Sequence, residues 1–287
     1  MLSRVLMGLV LATSACGRGE ALPGALDDQT WWRLIETLSE PAGTFDLSDN
    51  FVSNEPDYAD RARWLRPSGG AYLGVGPEQN FSYIAALRPD MAFIIDIRRE
   101  NQSLHLLYKA LFELSGDRVE FVSRLFSRPR PPGLASSASA DEIFQRFDAV
   151  PPSRVLYDAT AALVRERLLT VHRLPLSEAD LQWIARASEA FFVDGPDIQF
   201  WGDRTVAAAR PSYRTLMTAK DMTRQARSYL AAEGAFAFVK DLQMRNLVVP
   251  IVGDFGGPCA MRRVGDFVWG ITCARTVPAS TRSTLRT

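Results

Sequence analysis

Between Gly70 and Asp96 the sequence leaves the backbone few choices. Ala71 to Val75 is a short apolar run flanked by glycines, which predicts a buried strand. Gly74-Val75-Gly76 allows a sharp turn and a close approach of a ligand to the backbone. Pro77 suits the first position of a helix, where its missing N–H costs nothing, and Phe81, Ile84 and Ala85 recur at helical spacing behind it. Met91 to Ile95 is a second apolar run, and Asp96 closes it about twenty residues after Gly76. Strand, glycine turn, helix, strand and terminal acid together form the layout of a nucleotide-type cofactor site. In such a site glycines lie under the cofactor and a carboxylate accepts hydrogen bonds from ribose hydroxyls.

The third glycine of a dinucleotide fingerprint is absent, because Glu78 and Gln79 fill that region. A pyrophosphate would be repelled by Glu78, so a dinucleotide such as NAD is disfavoured. S-adenosylmethionine carries no phosphate and tolerates the acid better. The plainer alternative is a tight strand-to-helix turn with a solvated Asp at the end of the second strand.

The N-terminus reads as a targeting segment. Arg4 gives a short positive region, and Val5 to Ala12 is apolar but too short to span a bilayer. Thr13-Ser14-Ala15 then precede Cys16, as in a bacterial lipobox whose cysteine is acylated. Thr13 departs from the usual Leu of that motif. The expectation is an envelope lipoprotein facing outward, anchored by lipid at Cys16, with a cytoplasmic protein as the alternative. The chain balances 33 basic against 33 acidic residues, so no net field favours nucleic acid. Cys259 and Cys273 form no CxxC pair and have no neighbouring His, so no metal is predicted, and their pairing with each other stays open.

The domain plan follows: residues 1–16 a signal, 17–27 a tether, 28–268 a single α/β domain, and 269–287 an irregular tail. Trp31, Leu34, Ile35 and Leu38 predict an amphipathic helix. Residues 48–55 predict a loop or lid carrying Asp49, Asn54 and Glu55 toward a ligand, or else a turn held by its own side chains. Leu104, Leu107, Tyr108 and Leu111 predict a buried helix in which His105 is a packed core residue rather than a base. Arg118 to Val122 alternates and predicts a third strand, making residues 70–123 a β-α-β-α-β half of a doubly wound sheet.

A helical insertion is expected over about 141–245. Within it Ser177-x-x-Asp180 resembles a capping box, and Thr218-x-x-Asp221 is expected to start a helix that Gly234 interrupts. Residues 247–252 return to strand character, with Pro250 implying an edge or a bulge. Asp254, followed by glycines, repeats the logic of a carboxylate at a strand end.

Several blocks are long enough to carry a resemblance: Ser48-Asp-Asn-Phe-Val-Ser-Asn-Glu55, Gly74-Val-Gly-Pro-Glu-Gln-Asn-Phe-Ser-Tyr-Ile-Ala85, Ile95-Asp-Ile-Arg-Arg-Glu-Asn101 and Val252-Gly-Asp-Phe-Gly-Gly-Pro258. With the segments 105–114 and 228–230 they resemble an uncharacterised bacterial protein family over roughly residues 30–265. The resemblance implies a Rossmann-like, methyltransferase-like fold. The family usually continues beyond the Gly-Asp-Phe block with a helix and a strand. The different ending here implies a sheet short of its last strand.

Two functional expectations follow. In the first, Gly74, Gly76, Glu78, Gln79, Asn80 and Asp96 hold an S-adenosylmethionine-type cofactor, while Asn54, Glu55 and Asp254 face a substrate. Methyl transfer needs mainly alignment of its reactants, so the lack of an evident His or Cys catalyst does not oppose it. In the second, the chain is an exported, membrane-tethered protein that binds a small ligand or a partner without catalysis. The two pull apart, because S-adenosylmethionine is made and kept in the cytoplasm.

Overall fold

A computed structural model of the chain describes residues 22–44, 50–200, 210–257 and 259–270. Cys16, Asp49, Cys273 and the tail from 271 lie outside the described residues. Helices α1 (Asp28–Leu38) and α2 (Tyr58–Ala62) precede strand β1 (Ala71–Val75), α3 (Gln79–Leu87), β2 (Met91–Asp96) and α4 (Arg99–Leu114). A long helical stretch follows: α5 (Arg118–Leu125), α6 (Ala140–Asp148), α7 (Arg154–Glu166), α8 (Glu178–Asp194), α9 (Tyr213–Thr218) and α10 (Glu233–Met244). Strand β3 (Val248–Val252) and α11 (Ala260–Val268) complete the order.

The architecture is mixed α/β around a small parallel sheet in the order β1-β2-β3. Ala71 pairs with Met91, and Ala92 with Val248, so all three carboxyl ends share one edge. Every residue of β2 and β3 is buried. That is why both strands read as continuous apolar runs rather than as alternating ones.

The third strand comes from β3 and not from Arg118–Val122, which opens α5. Asp117 caps that helix by accepting the Glu120 N–H at 2.8 Å, and Val119, Phe121, Val122 and Leu125 are buried at helical spacing. The apparent alternation arose from Arg118, which is buried rather than solvated. Its guanidinium donates to the carbonyls of Ser136 at 2.9 Å, Leu230 at 2.5 Å and Ala138. Helical structure between β2 and β3 therefore begins at α4, well before residue 141.

Two further expectations are corrected. Residues 22–27 do not form a free tether. Leu26 N–H donates to Arg245 O at 3.0 Å, Arg245 Nη1 to Gly24 O at 2.7 Å and Asn246 Nδ2 to Leu26 O at 2.9 Å, while Leu22 and Leu26 pack on the core. Thr218 ends α9 instead of starting a helix. The Asp221 carboxylate folds a turn by accepting from Thr223 N–H at 2.8 Å, Gln225 N–H at 3.0 Å and Arg227 Nε at 2.8 Å. Gly234 then lies in the first turn of α10. The capping box forms as read, with Ser177 Oγ accepting Asp180 N–H at 3.2 Å and Asp180 Oδ2 accepting Ser177 N–H at 2.9 Å. Arg99 grips the same carboxylate through two bonds of 2.7 and 2.9 Å, which ties α4 to α8.

The outer edge of β3 is closed. Val248 O accepts from Trp31 Nε1 at 3.0 Å, Pro250 O from Gln102 Nε2 at 3.1 Å, and Val252 O from Glu40 N–H at 2.8 Å. Val252 N–H donates to Ser39 Oγ at 3.1 Å, and Pro250 has no N–H to satisfy. An open strand edge would otherwise template pairing with another chain. Among the described residues the sheet ends at β3, and α1, the segment after it and α4 occupy that edge.

The core centres on Phe81 of α3. His105, Tyr108, Phe112 and Tyr229 meet its ring edge-on at centroid distances of 5.5, 5.3, 5.2 and 5.4 Å. Edge-to-face aromatic contacts add to simple burial. They fix α3 against α4 and thereby set the height of the glycine turn above the sheet.

Candidate functional site

The turn from β1 into α3 is held by Asn80. Its Nδ2 donates to Val75 O at 3.1 Å, Gly76 O at 3.1 Å and Pro77 O at 2.8 Å, and its Oδ1 accepts from the Tyr72 hydroxyl at 2.8 Å. Asn80 therefore shapes the turn and has no donor or acceptor left aimed outward. The two glycines differ in role. A Cβ on Gly74 would collide with Asn80 Oδ1 and the Tyr72 hydroxyl, so the space beside Gly74 is filled by the protein itself. Gly76 has φ +83°, the left-handed region that glycine takes without strain, and a Cβ there would meet nothing within 4 Å. Of the two expected close-approach points, only Gly76 is open.

Glu78 points inward. It is fully buried, and its carboxyl oxygens share the Ser53 N–H at 3.3 and 3.2 Å. Burial pushes its carboxyl up to about 8, only partly opposed by that backbone bond. Glu78 is therefore mainly a neutral acid at neutral pH, which removes the charge expected to repel a phosphate.

Gln79 joins a second, half-buried group. Its Nε2 donates to Glu55 Oε2 at 2.5 Å and to the Tyr83 hydroxyl at 3.2 Å, and its Oε1 accepts from Ser53 Oγ. Tyr83 also donates to Glu55 Oε2 at 3.1 Å, and Arg61 Nη1 reaches the same oxygen at 3.5 Å. Burial and the neighbouring Glu55 push the Tyr83 hydroxyl up, so it stays protonated and donates to Glu55 while accepting from Gln79. Residues 53–55 thus form a polar seam over the start of α3. Asn54 turns away from it and is exposed.

Asp96 ends β2 as expected, but its carboxylate is engaged. Oδ1 accepts from Arg98 N–H and Arg98 Nε, each at 2.9 Å, and Oδ2 accepts from Arg98 Nη2 at 2.7 Å. Asp254 lies on an exposed turn after β3, where Oδ1 accepts Gly256 N–H at 2.8 Å. The fold brings Glu55, Gly76, Glu78, Gln79 and Asn80 together, leaves Asp96 paired with Arg98, and leaves Asn54 and Asp254 at the surface.

Behind the turn, His105 is a packed core residue as the helical pattern indicated, and it also supports the turn. Its Nε2 meets Gly76 O at 2.9 Å, so that nitrogen carries the proton, and burial lowers the ring to about 4. Its Nδ1 is then a buried lone pair without a partner, and the Tyr108 hydroxyl one turn along α4 is likewise buried and unpaired. The residues that sequence reasoning missed are Ser53, Tyr83, Arg98 and Tyr108. Two had a visible signal: Tyr83 follows Gln79 by one helical turn, and Arg98 follows Asp96 by two positions.

Among the described residues no group of three His, Cys, Asp or Glu side chains is placed to hold a metal ion, and no helix is long and apolar enough to cross a membrane. Residues 50–133 match a domain of unknown function (DUF7790), a span that starts just before the polar seam and runs through β1, the glycine turn, α3, β2, α4 and α5. No curated protein matches the chain.

Proposed function

We propose that this protein binds a small ligand at the carboxyl edge of a Rossmann-like, methyltransferase-like scaffold and does not turn it over. The pairing of Asp96 with Arg98 carries this reading. A ribose diol needs a carboxylate it can reach, and here Asp96 is buried with both oxygens already accepting from one guanidinium. The filled space at Gly74 points the same way. The open side of Gly76, the Glu55–Gln79–Tyr83 seam and the exposed Asp254 supply the polar surface for the ligand. A lipid anchor at Cys16 would place that surface in the cell envelope, where S-adenosylmethionine is not supplied.

Native mass spectrometry of the protein released gently from its own membranes tests this. A small molecule should remain bound, and Gly76→Val should expel it by filling the open side of the turn. Metabolic labelling with a fatty acid should mark the chain and fail in Cys16→Ser. S-adenosylmethionine, S-adenosylhomocysteine and NAD should leave the melting temperature unchanged.

A second reading, a cytoplasmic S-adenosylmethionine-binding methyltransferase-like protein, is favoured by one observation: Gly76 at φ +83° with open space beside it, followed by an acid at the end of β2. It requires Arg98 to swing off Asp96. A ligand at a hundredfold its Kd stabilises the native state by about 2.7 kcal/mol. A shift of that size with S-adenosylmethionine, lost in Asp96→Ala, would establish this reading over the first.

A further inference from the structure

A groove of about 700 Å³ separates α1 from the segment that follows α7. Its volume lies in the range of small-molecule sites, and it shares no lining residue with the glycine turn. One wall is the α1 face of Asp28, Trp32, Arg33 and Glu36; the other is formed by residues 171–175. That second wall is built irregularly. Arg167–Val171 is a π-helical turn, and Arg173 has φ +53°, a left-handed conformation that a residue with a Cβ rarely takes. π-Turns and left-handed non-glycine residues both concentrate at functional sites.

The charges of the groove are not equivalent. Asp28 Oδ1 is occupied by His172 Nδ1 at 2.8 Å and Asn246 Nδ2 at 2.9 Å, and Glu36 Oε1 by Trp32 Nε1 at 2.8 Å. Arg33 and Arg173 are exposed, and among the described residues neither meets a carboxylate. One oxygen of each acid is thus held from within by its own neighbours, while the two guanidinium groups meet no carboxylate. The same groove is lined by Val171, 49% exposed, by the exposed Pro175, and by the rims of the largely buried Trp32 and Leu174.

We propose that this groove is a binding site for a small organic anion with a flat apolar body, its acid group held by Arg33 and Arg173 and its body laid on Val171 and Pro175 beside the rim of Trp32. A guanidinium donates two parallel hydrogen bonds to a planar or tetrahedral oxyanion, which suits carboxylate, sulfonate and phosphate alike. The apolar wall disfavours bare inorganic anions as preferred ligands, because they would leave Val171 and Pro175 uncovered.

The test is isothermal titration of the full chain with 2-naphthalenesulfonate as the probe and 2-naphthylmethanol as its neutral counterpart. The sulfonate should bind and the alcohol should bind much more weakly. Arg33→Ser and Arg173→Gly should each weaken the sulfonate by roughly tenfold, the loss of one charge-assisted contact. Glycine accepts the left-handed backbone at 173, so that variant keeps or raises the melting temperature, and its loss of binding cannot be ascribed to unfolding. No binding to the unaltered protein, equal binding of the alcohol, or unchanged affinity in both variants would each overturn the proposal.

Discussion

Lys109 and Glu113 lie one turn apart on α4, with 2.7 Å between Nζ and Oε1 and both side chains almost wholly out of solvent. Lys109 Nζ also donates to Gln243 O at 2.7 Å and Asn246 Oδ1 at 2.6 Å. Glu113 Oε2 takes a further bond from His172 Nε2 at 2.7 Å. Burial pushes the Lys109 amine down, with Glu113 opposing. Burial alone would raise the Glu113 carboxyl, but His172 and Lys109 outweigh it and hold the acid below its usual range. Removing one partner strands the other charge. Glu113→Gln should lower unfolding free energy by about 3–5 kcal/mol in urea titration. The double variant Lys109→Met/Glu113→Leu should lose less than the sum of its singles, because neither member of the pair is left charged without the other.

Glu78 and His105 give stability a particular pH profile. The Glu78 carboxyl rises from 4.5 to about 8 on folding, so from pH 4.5 upward the unfolded chain releases a proton that the native state keeps, and stability falls until about pH 8. The His105 ring falls from 6.5 to about 4, so stability rises with pH across that window. The two slopes, each about 1.4 kcal/mol per pH unit, oppose one another between pH 4.5 and 6.5 and leave a net fall from 6.5 to 8. Chemical denaturation across this range should find that fall, and Glu78→Gln should abolish it while uncovering the rise below pH 6.5.

The two glycines of the turn should respond differently to alanine. Gly74→Ala forces a methyl group against Asn80 and Tyr72, an overpacking that costs about 1–3 kcal/mol. Gly76→Ala meets no atom but must hold φ +83°, which costs about 1–2 kcal/mol. Ligand binding separates them further: Gly76→Ala intrudes on the open side of the turn, while Gly74→Ala acts only through stability. Paired melting curves and binding measurements check this.

Gln102 gives the edge of β3 its middle bond, to Pro250 O at 3.1 Å. Gln102→Met keeps the bulk of the side chain and leaves a buried carbonyl unpaired, at about 1–3 kcal/mol. Hydrogen exchange should report faster opening of the amides that join β2 to β3, with little change along β1.

The first two strands and the helix between them were legible because glycine, proline and period act locally. The neighbour of β2 was not. Arg118–Val122 imitates a strand only because a buried Arg interrupts its apolar period, and the carbonyls that satisfy that Arg come from Ser136, Ala138 and Leu230, far along the chain. The site was legible as a location rather than as chemistry. Gly76 and Asp96 fall at strand ends as their spacing indicated. The inward turn of Glu78 depends on Ser53, and the loss of a free carboxylate at Asp96 depends on the rotamer of Arg98, neither of which a residue pattern specifies.

Closing the sheet with β3 has a consequence for how the chain is made. β2 receives β1 on one side almost as soon as it is synthesised, but its other side waits for Val248–Val252, beyond the whole of residues 97–247. During translation a nascent chain therefore carries a β-α-β unit whose apolar second strand has one naked flank of unpaired N–H and C=O groups. Such flanks recruit neighbours on crowded polysomes. Slow elongation through the helical region, or a late truncation that removes β3, should drive this protein into inclusion bodies even though every helix before that point can form.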